Sequence, residues 1–300
     1  MLMVTGANGR FAQAAIRELQ RLAGHEPIAV TTRDPHSPSS RRLAQAGVDV
    51  RQADFGDRAS LAGAFRGVRK VLIVSTMAPN DVRFQLHANA IDAAQQAGVG
   101  HVIYTSFINA GPQSLTEHSR LVHAPTEAKL AQSGLDFTIL RHSLYAETLL
   151  DDLDVTLETG VFARPGGSVP AAYIARDDLG LSAAHVLVED GHEGRTYTET
   201  MTVTHTGAEI AAELSRATGR DIRYEAITSE AWPGRLADAL GLPEELLLSA
   251  GHTMRALEAG EFERATGDFE LLTGRAPATL REFLTANVAP RDGRARSAMR

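Results

Sequence analysis

The feature that most constrains this chain is a loop of small residues that directly follows its first apolar run. Leu2–Val4 lead into Thr5-Gly6-Ala7-Asn8-Gly9-Arg10-Phe11-Ala12, after which apolar residues recur with helical spacing. Gly6 and Gly9 allow a sharp turn and a close approach to the backbone, and Ala12 is small enough for a helix to pack on a strand. The pattern predicts a strand–loop–helix unit whose helix N-terminus can bind an anion.

The first half of the chain repeats this strand–helix pattern. Short apolar runs alternate with segments in which apolar residues recur every three or four positions, which is typical of a parallel sheet built from βαβ units. In the clearest helical segment, one apolar stripe runs from Val82 to Ala97, and Gly98 ends the helix. We therefore expect an α/β chain with a Rossmann-type doubly wound parallel sheet. The predicted strands are Leu2–Val4, 27–31, 48–52, 70–74, 101–104 and 137–140.

The second half has a different rhythm. Thr206 and Glu209 form the pattern of a capping box at the start of a helix that Gly219 ends. The predicted elements of this half are a helix over 177–189, a strand over 195–199, the helix after Thr206, a strand over 222–227 and helices over 229–262 that break at Gly241 and Pro243. We expect a cofactor-binding domain at 1–150, a smaller C-terminal α/β lobe at 151–290 that can interleave with the sheet, and a flexible tail at 291–300.

The composition excludes several classes of protein. A net charge of −7 argues against nucleic acid as a partner, because its binders usually carry a basic face. The chain has no cysteine, which excludes disulfides and thiolate chemistry, and no apolar stretch approaches the roughly 18 residues of a membrane span. No spacing indicates a metal site. We expect a cytoplasmic protein whose partner is a small-molecule acceptor, not a nucleic acid or a membrane, and a homodimer is compatible with the sequence.

The end of the second predicted strand bears on the choice of dinucleotide. A carboxylate there usually binds the ribose 2′-hydroxyl of NAD(H), whereas an arginine can bind the 2′-phosphate of NADP(H). In Thr31-Thr32-Arg33-Asp34 the arginine comes first, and Arg10 in the glycine loop can add to its contact. NADP(H) is therefore the expected cofactor of the first domain. Asp34 leaves NAD(H) as the second choice.

With these residues in hand, the chain resembles the NmrA-like group of atypical short-chain dehydrogenases and, within it, bacterial NADPH-dependent quinone reductases. The resemblance covers nearly the whole chain and is carried by a set of motifs in a fixed order. The motifs are TGANGR at 5–10, TTRDP at 31–35, RQADFGD at 51–57, YTSFINA at 104–110, TEAKLAQSGLDFTILR at 126–141 and GHEGRTY at 191–197.

The resemblance implies roles for the positions that match. Asp54 and Phe55 would border the adenine, and Tyr145 would face the substrate. The segment Ser75, Thr76 and Met77 would line the cofactor, and Thr105 and Ser106 would lie beneath the nicotinamide. The expected cofactor-binding residues are Gly6, Asn8, Gly9, Arg10, Phe11, Arg33, Asp54, Phe55, Ser75, Thr76, Met77, Thr105, Ser106 and His123.

One departure from the wider superfamily narrows the chemistry. Typical short-chain dehydrogenases use a Tyr-x-x-x-Lys pair, and alignment against TEAKLAQSG places Ser119 at the tyrosine position and His123 at the lysine position. The same absence is typical of the quinone-reductase-like group. Lys129 lies out of register, so we interpret it as a surface lysine.

The missing tyrosine acid favours acceptors that can take hydride without one. Quinones and related conjugated molecules delocalise the resulting anion, so the protein has chiefly to orient them against the nicotinamide. The expected catalytic residues are His123, Ser106 and Tyr145, and the expected activity is an NADPH-dependent reduction of such an acceptor. Two alternatives stay open: a non-catalytic NADP(H)-sensing regulatory protein of the NmrA-like type, and a reductase of an aromatic pathway intermediate.

Overall fold

A parallel β-sheet forms the centre of the computed structural model, which describes residues 1–241 and 243–288. Within these ranges the strands are β1 (Leu2–Val4), β2 (Ile28–Thr32), β3 (Asp49–Gln52), β4 (Lys70–Ile73), β5 (His101–Phe107), β6 (Asp136–His142), β7 (Leu144–Tyr145), β8 (Val161–Arg164), β9 (Tyr173–Ile174), β10 (Thr196–Glu199) and β11 (Arg223–Ala226). The central sheet has the order β10-β6-β5-β4-β1-β2-β3. Its order reverses between β1 and β4, which opens a crevice at the carboxyl ends of these strands.

Helices cover both faces of this sheet. The helices of the described residues are α1 (Arg10–Leu22), α2 (Pro38–Gln45), α3 (Arg58–Ala64), α4 (Asn80–Gln96), α5 (Ala124–Gln132), α6 (Leu153–Thr159), α7 (Arg176–Val188), α8 (Gly207–Thr218), α9 (Trp232–Leu240), α10 (Glu244–Glu258), α11 (Asp268–Thr273) and α12 (Leu280–Asn287). A π-helical turn at Ser119–His123 leads directly into α5, and a 3-10 turn at Ala146–Leu150 follows β7. The doubly wound α/β fold predicted from the sequence is confirmed.

Alternation along the strands divides the core into two layers. Leu2 and Val4 of β1 face the layer of α1 and α7, where the side chains of Ile16 and Leu179 are buried. Met3 faces the other way, towards the layer of α3, α4 and α5. A parallel sheet that is covered on both faces needs apolar residues on both, which explains the unbroken apolar runs in the sequence.

The chain beyond residue 150 contributes to both parts of the molecule. β10 pairs with β6 at the edge of the central sheet, and α7 packs closely on α1. A Cβ added at Gly180 in α7 would lie 2.5 Å from the Cβ of Ala14, so this helix pair requires a glycine there.

The remaining elements form a smaller lobe around β8 and β11. Its core contains Phe162, Leu214, Phe262 and Phe283. The predicted capping box is confirmed, since the side chain of Thr206 accepts the amide of Glu209 and the Glu209 carboxylate accepts the amide of Thr206. The predicted tail at 291–300 lies outside the described residues.

One predicted boundary differs from the structure in a way that matters for the site. β5 runs to Phe107, and not to residue 104, because Thr105 and Ser106 continue to pair with Leu140 and Arg141 of β6. Both residues therefore belong to the sheet, and their side chains are buried on its faces. In the described ranges, no helix combines the length and apolarity needed to cross a membrane.

Candidate functional site

The glycine loop between β1 and α1 forms the floor of the crevice. Gly6 has a φ of +68°, a conformation that residues with a side chain rarely adopt, and its amide lies 3.3 Å from the Thr31 hydroxyl. Gly9 gives α1 no side-chain cap, and the first turn of α1 contains no acidic residue. The amides of that turn are therefore available to an anion, and the helix dipole favours one.

Asn8 ties this loop to the end of β2. Its amide nitrogen donates to the Thr32 hydroxyl at 3.1 Å, and its amide oxygen accepts the Ser39 hydroxyl at 2.7 Å. The loop is thus held in shape by the two elements that flank Arg33. This local order means that a ligand meets a largely prepared surface.

A cavity of about 480 Å³, which we call the loop cleft, opens above these residues. Of the predicted cofactor-binding residues, the structure brings nine together in its lining: Gly6, Asn8, Gly9, Arg33, Asp54, Phe55, Ser75, Thr76 and Met77. The lining thus runs from the ends of β3 and β2, past the glycine loop after β1, to the segment after β4. It follows the order in which the adenosine, the pyrophosphate and the nicotinamide of a dinucleotide cross such a switch point.

Arg33 and Asp34 differ in what they offer to the loop cleft. Arg33 is exposed, and among the described residues its guanidinium has no hydrogen bond or ion pair. The Asp34 carboxylate accepts the His36 amide at 2.8 Å within its own turn. The free guanidinium is suited to a phosphate, whereas the carboxylate already holds a local turn.

Arg10 and Phe11 do not line the loop cleft. Arg10 lies in a separate cavity of about 440 Å³ that Glu147 and Arg176 also line. Its predicted help to Arg33 stays a prediction. Phe11 is buried, with its ring centroid 5.1 Å from that of His142.

Thr105 and Ser106 are both buried, and their hydroxyls have partners. The Thr105 hydroxyl accepts the Ser75 amide at 2.8 Å and so orders the segment after β4. Ser106 donates to Glu127 at 2.6 Å, and Glu127 is paired with Arg141 at 2.5 Å. The expected position of Ser106 beneath the nicotinamide stays a prediction, and any bond to a ligand would compete with the one to Glu127.

His123 belongs to a buried chain of hydrogen bonds that we call the tyrosine–histidine network. The Thr76 amide donates to Nε2 of His87 at 3.1 Å, and Nδ1 of His87 lies 3.1 Å from the Tyr104 hydroxyl and 3.2 Å from that of Thr126. The Tyr104 hydroxyl lies 2.9 Å from Nδ1 of His123.

The order of donors along this network fixes the state of His123. Burial lowers the pKa of His87 to about 3 and that of His123 well below its usual value, and the charge of Arg83 lowers both further. Both rings are therefore neutral. Because Nε2 of His87 accepts from Thr76, its proton is on Nδ1. When Tyr104 donates onward to Nδ1 of His123, the remaining proton of His123 is on Nε2.

Arg83 is a functional candidate that the sequence reasoning missed. It lies on α4 and its guanidinium donates to the Ser75 hydroxyl at 2.7 Å. Burial lowers the pKa of this guanidinium, and its charge acts on both Tyr104 and Tyr145. The apolar stripe of α4 predicts a helix, but it does not indicate that the side chain of Arg83 reaches the segment after β4.

A second cavity of about 590 Å³ adjoins the loop cleft at Met77 and Ala78, and Arg83 lies in its wall. We call it the α4–α10 pocket. Glu117 accepts the Asn80 amide at 3.1 Å and lies 3.5 Å from Nδ1 of His252. The other lining residues are mainly apolar: Phe84, Leu121, Leu246 and Leu248, with Asp81 and Ser249.

Tyr145 is half-buried at the end of β7. Its hydroxyl lies 3.3 Å from Nδ1 of His142, and the guanidinium of Arg176 lies 4.3 Å above its ring. Burial raises the pKa of Tyr145, and the charges of Arg176 and Arg83 partly oppose that rise. Lys129 is paired with Asp92 at 2.6 Å and does not belong to this group.

A doubly wound parallel sheet with a glycine loop and an open cleft at its switch point defines a dinucleotide-binding type of α/β protein. The chain belongs to the NmrA-like family, whose model matches residues 1–284. The family predicted from the motifs is thereby confirmed.

Curated relatives match over nearly their whole length. The chain is 34% identical over 288 residues to quinone oxidoreductase 2 of Escherichia coli (strain K12), covering 95% of this chain and 98% of the relative. It is 31% identical over 290 residues to an NAD(P)H azoreductase of Xenophilus azovorans, covering 96% and 98%. The crystal structure of an Escherichia coli NADPH-dependent quinone oxidoreductase complexed with NADPH superposes with a TM-score of 0.89 at 32% identity, covering 96% of this chain and 100% of that one.

Proposed function

We propose that this protein is an NADPH-dependent reductase that passes hydride to a quinone or a similar conjugated small molecule. The observation that carries the proposal is the junction at Met77 and Ala78, where a cleft suited to a dinucleotide meets a second cavity whose walls combine apolar side chains with charged ones. Two relatives that match over 98% of their length are named quinone oxidoreductase 2 and NAD(P)H azoreductase. A reductase needs two adjoining binding sites of this kind, because hydride moves only between molecules in contact.

The loop cleft fits NADP(H) by the chemistry of its lining. The uncapped first turn of α1 can bind the pyrophosphate, and Arg33 can bind the 2′-phosphate. Asp54 and Phe55 would border the adenine, and Thr76 and Met77 the nicotinamide half. Bound there, NADPH would supply the hydride. NAD(H) would lack the phosphate that Arg33 can bind.

The α4–α10 pocket suits a flat, apolar acceptor with polar atoms at its edge. Phe84, Leu121 and Leu246 provide apolar walls, and Arg83 provides a positive charge in the same lining. Reduction by hydride leaves negative charge on the acceptor. A fixed guanidinium in a partly dry site stabilises such charge as it develops, without having to reorganise.

His123 and Tyr145 are the proposed proton and hydrogen-bond donors. The network gives His123 an Nε2 proton to donate, and the Tyr145 hydroxyl has its own proton to donate when His142 donates to it. Neither group needs to ionise to fulfil this role. A delocalised anion can be protonated by donors of this modest strength.

We further propose a cytoplasmic location, on the grounds of a chain without cysteine and a soluble cofactor. Nucleic acid is not a proposed partner, given the net charge of −7. A homodimer stays a prediction that sedimentation of the purified protein would check.

The proposed function is tested by calorimetry and steady-state kinetics on the purified protein. Titration with NADPH, NADP⁺ and NADH should show binding that favours the phosphorylated forms. Loss of the absorbance of NADPH should then depend on an added acceptor, with a benzoquinone, a naphthoquinone and an azo dye as the panel. Binding of NADPH without oxidation by any member of the panel would contradict a reductase and favour the sensing protein.

A further inference from the structure

A carboxyl group, an imidazole and a phenol lie in a row at the carboxyl ends of β10, β6 and β7. Glu199 is the last residue of β10 and pairs in register with His142, the last residue of β6. Oε2 of Glu199 lies 3.6 Å from Nε2 of His142, and Nδ1 of His142 lies 3.3 Å from the Tyr145 hydroxyl. Only the outer member of the row, Tyr145, is partly exposed.

The inner two members of this row are fully buried and face each other. Within the described part of the chain, Nε2 of His142 and Oε2 of Glu199 have no hydrogen-bond partner. A buried polar atom without a hydrogen-bond partner lowers the stability of the fold. A movement of a few tenths of an ångström would bring these two atoms within hydrogen-bond distance of each other. The other carboxyl oxygen of Glu199 is bonded by the Ser182 hydroxyl. This geometry indicates a single connected chain from Ser182 to Tyr145.

Burial sets the direction of the protons along the row. It raises the pKa of Glu199 to about 8, and it lowers the pKa of His142 to about 3. At neutral pH the carboxyl group is therefore protonated and the imidazole neutral. Glu199 can then donate to Nε2 of His142, and Nδ1 of His142 donates to the Tyr145 oxygen. The phenolic proton of Tyr145 is then not used within the row.

We infer that Glu199 and His142 are positioning residues of the proposed reductase, which orient Tyr145 and return a proton to it after it has protonated the reduced acceptor. The inference rests on the proposed function, in which NADPH provides the hydride. It adds a carboxyl–imidazole pair from the second half of the chain that acts through Tyr145.

The proton transfers balance along the row. The O–H bond of Tyr145 breaks as its proton moves to the anionic oxygen of the reduced acceptor. The Tyr145 oxygen then takes the proton of Nδ1 of His142, and Nε2 of His142 takes the proton of Glu199. After the product leaves, a proton from water enters at Tyr145 and restores the chain, so Glu199 ends each cycle as it began.

The charged groups around the row are few and come from four elements. Arg83 of α4, Arg176 of α7 and Glu147 of the 3-10 turn act on Tyr145. Asp268 of α11 acts on Glu199 and adds to the rise of its pKa. The two arginines favour a transient phenolate at Tyr145. The negative charge of Asp268 favours the protonated form of Glu199.

The test compares Glu199→Gln with the wild type. Glutamine keeps the shape and the bond from Ser182, and it can still donate to His142, but it cannot release a proton. We expect kcat for quinone reduction to fall about tenfold, a modest share of what acid–base groups contribute, while the KM for NADPH stays unchanged. The wild-type kcat should decline as the pH rises through the pKa of Glu199, and this decline should disappear in the variant. Glu270→Gln, at an exposed site on α11, is the matched control and should behave as the wild type.

Two further measurements make the result specific. In Tyr145→Phe, adding Glu199→Gln should lower kcat no further, because the pair acts through the phenol. Nitrogen NMR of His142 should show the proton on Nδ1 at neutral pH and on Nε2 once Glu199 ionises, with no such change in Glu199→Gln. Wild-type kinetics in Glu199→Gln, additive losses in the double variant, or an Nε2 proton at neutral pH would each overturn the inference. Absence of turnover in the wild type would instead overturn the proposed function on which it rests.

Discussion

The two halves of the candidate site are built in different ways. The loop cleft is made of backbone and exposed side chains that follow β1, β2 and β3, such as Gly6 and Arg33. The other half contains Arg83, Tyr104, His123 and Tyr145, which come from α4, β5, the π-helical turn and β7. These polar groups are buried or half-buried and are held by hydrogen bonds. The first half can therefore change its affinity for a ligand without disturbing the fold. In the second half, ligand chemistry and protein stability are coupled.

This difference has a cause in what each half must do. A phosphate is a strong, localised charge, and free amides and one guanidinium in water can bind it. An acceptor that becomes anionic in an apolar pocket requires donors that are fixed in advance, and fixing them requires burial. Buried donors then need partners of their own.

The largest expected effect is a loss of stability in acid that originates in the buried half. Burial lowers the pKa of His87, His123 and His142, so protons bind to the unfolded chain before they bind to the folded one. Their contribution to stability is complete above pH 6.5 and is lost as the pH falls towards the lowered values, by about 4 kcal/mol per pH unit for the three together. Denaturant unfolding between pH 7 and pH 5 measures this slope.

A matched pair of variants locates the acid effect. His87→Gln should lower the slope by about a third, since one of the three titrating groups is removed while glutamine can still accept from Thr76. His25→Gln, at an exposed histidine, should leave it unchanged. Equal slopes in all three proteins would mean that the buried histidines are not its source.

The next largest effect is expected at Arg83, where the two halves meet. Arg83→Gln removes the fixed positive charge beside the developing anion and should lower kcat about a hundredfold, as the loss of one preorganised donor typically does. Arg83→Lys should restore part of the loss. Stopped-flow measurement of hydride transfer checks both variants, and an unchanged rate in Arg83→Gln would place the acceptor elsewhere.

Arg33 should show the opposite behaviour, with an effect on binding alone. A charge-assisted bond to a phosphate contributes about 1.5–3 kcal/mol, so Arg33→Ala should weaken NADPH about 10- to 100-fold. The affinity for NADH and the unfolding free energy should not change. Arg41→Ala, at an exposed arginine on α2, is the control. If NADH were weakened equally, recognition of the 2′-phosphate would have to be assigned to another residue.

The smallest effect is expected at the rim of the α4–α10 pocket. Leu248 is 55% exposed and lines this pocket, so only part of its apolar area can be covered by an acceptor. Leu248→Ser should raise the KM for a quinone about threefold, corresponding to less than 1 kcal/mol of burial, and leave NADPH binding as it was. The same change at Leu271, which is 74% exposed on α11, should have no effect on either constant.

The same contrast decides how much could be predicted from the sequence. The fold and the loop cleft could be predicted, because apolar alternation and the order Gly6, Gly9, Arg33 are local patterns. Arg83 and Glu199 could not, because their roles depend on which strand and helix meet across the sheet. His123 was predicted through the family pattern and stays a prediction as a site residue, and its contact with Tyr104 required the structure. Ser106 lies in the motif that the family pattern predicts, but the sequence could not show that its hydroxyl donates a hydrogen bond to Glu127.

A single-turnover experiment tests most directly whether the two halves form one site. Protein loaded with one equivalent of NADPH is mixed rapidly with a naphthoquinone, and the nicotinamide fluorescence is followed. The account predicts one exponential loss of the bound NADPH signal, with a rate that saturates as the quinone concentration rises. Bound NADPH that keeps its full signal at every quinone concentration would contradict it.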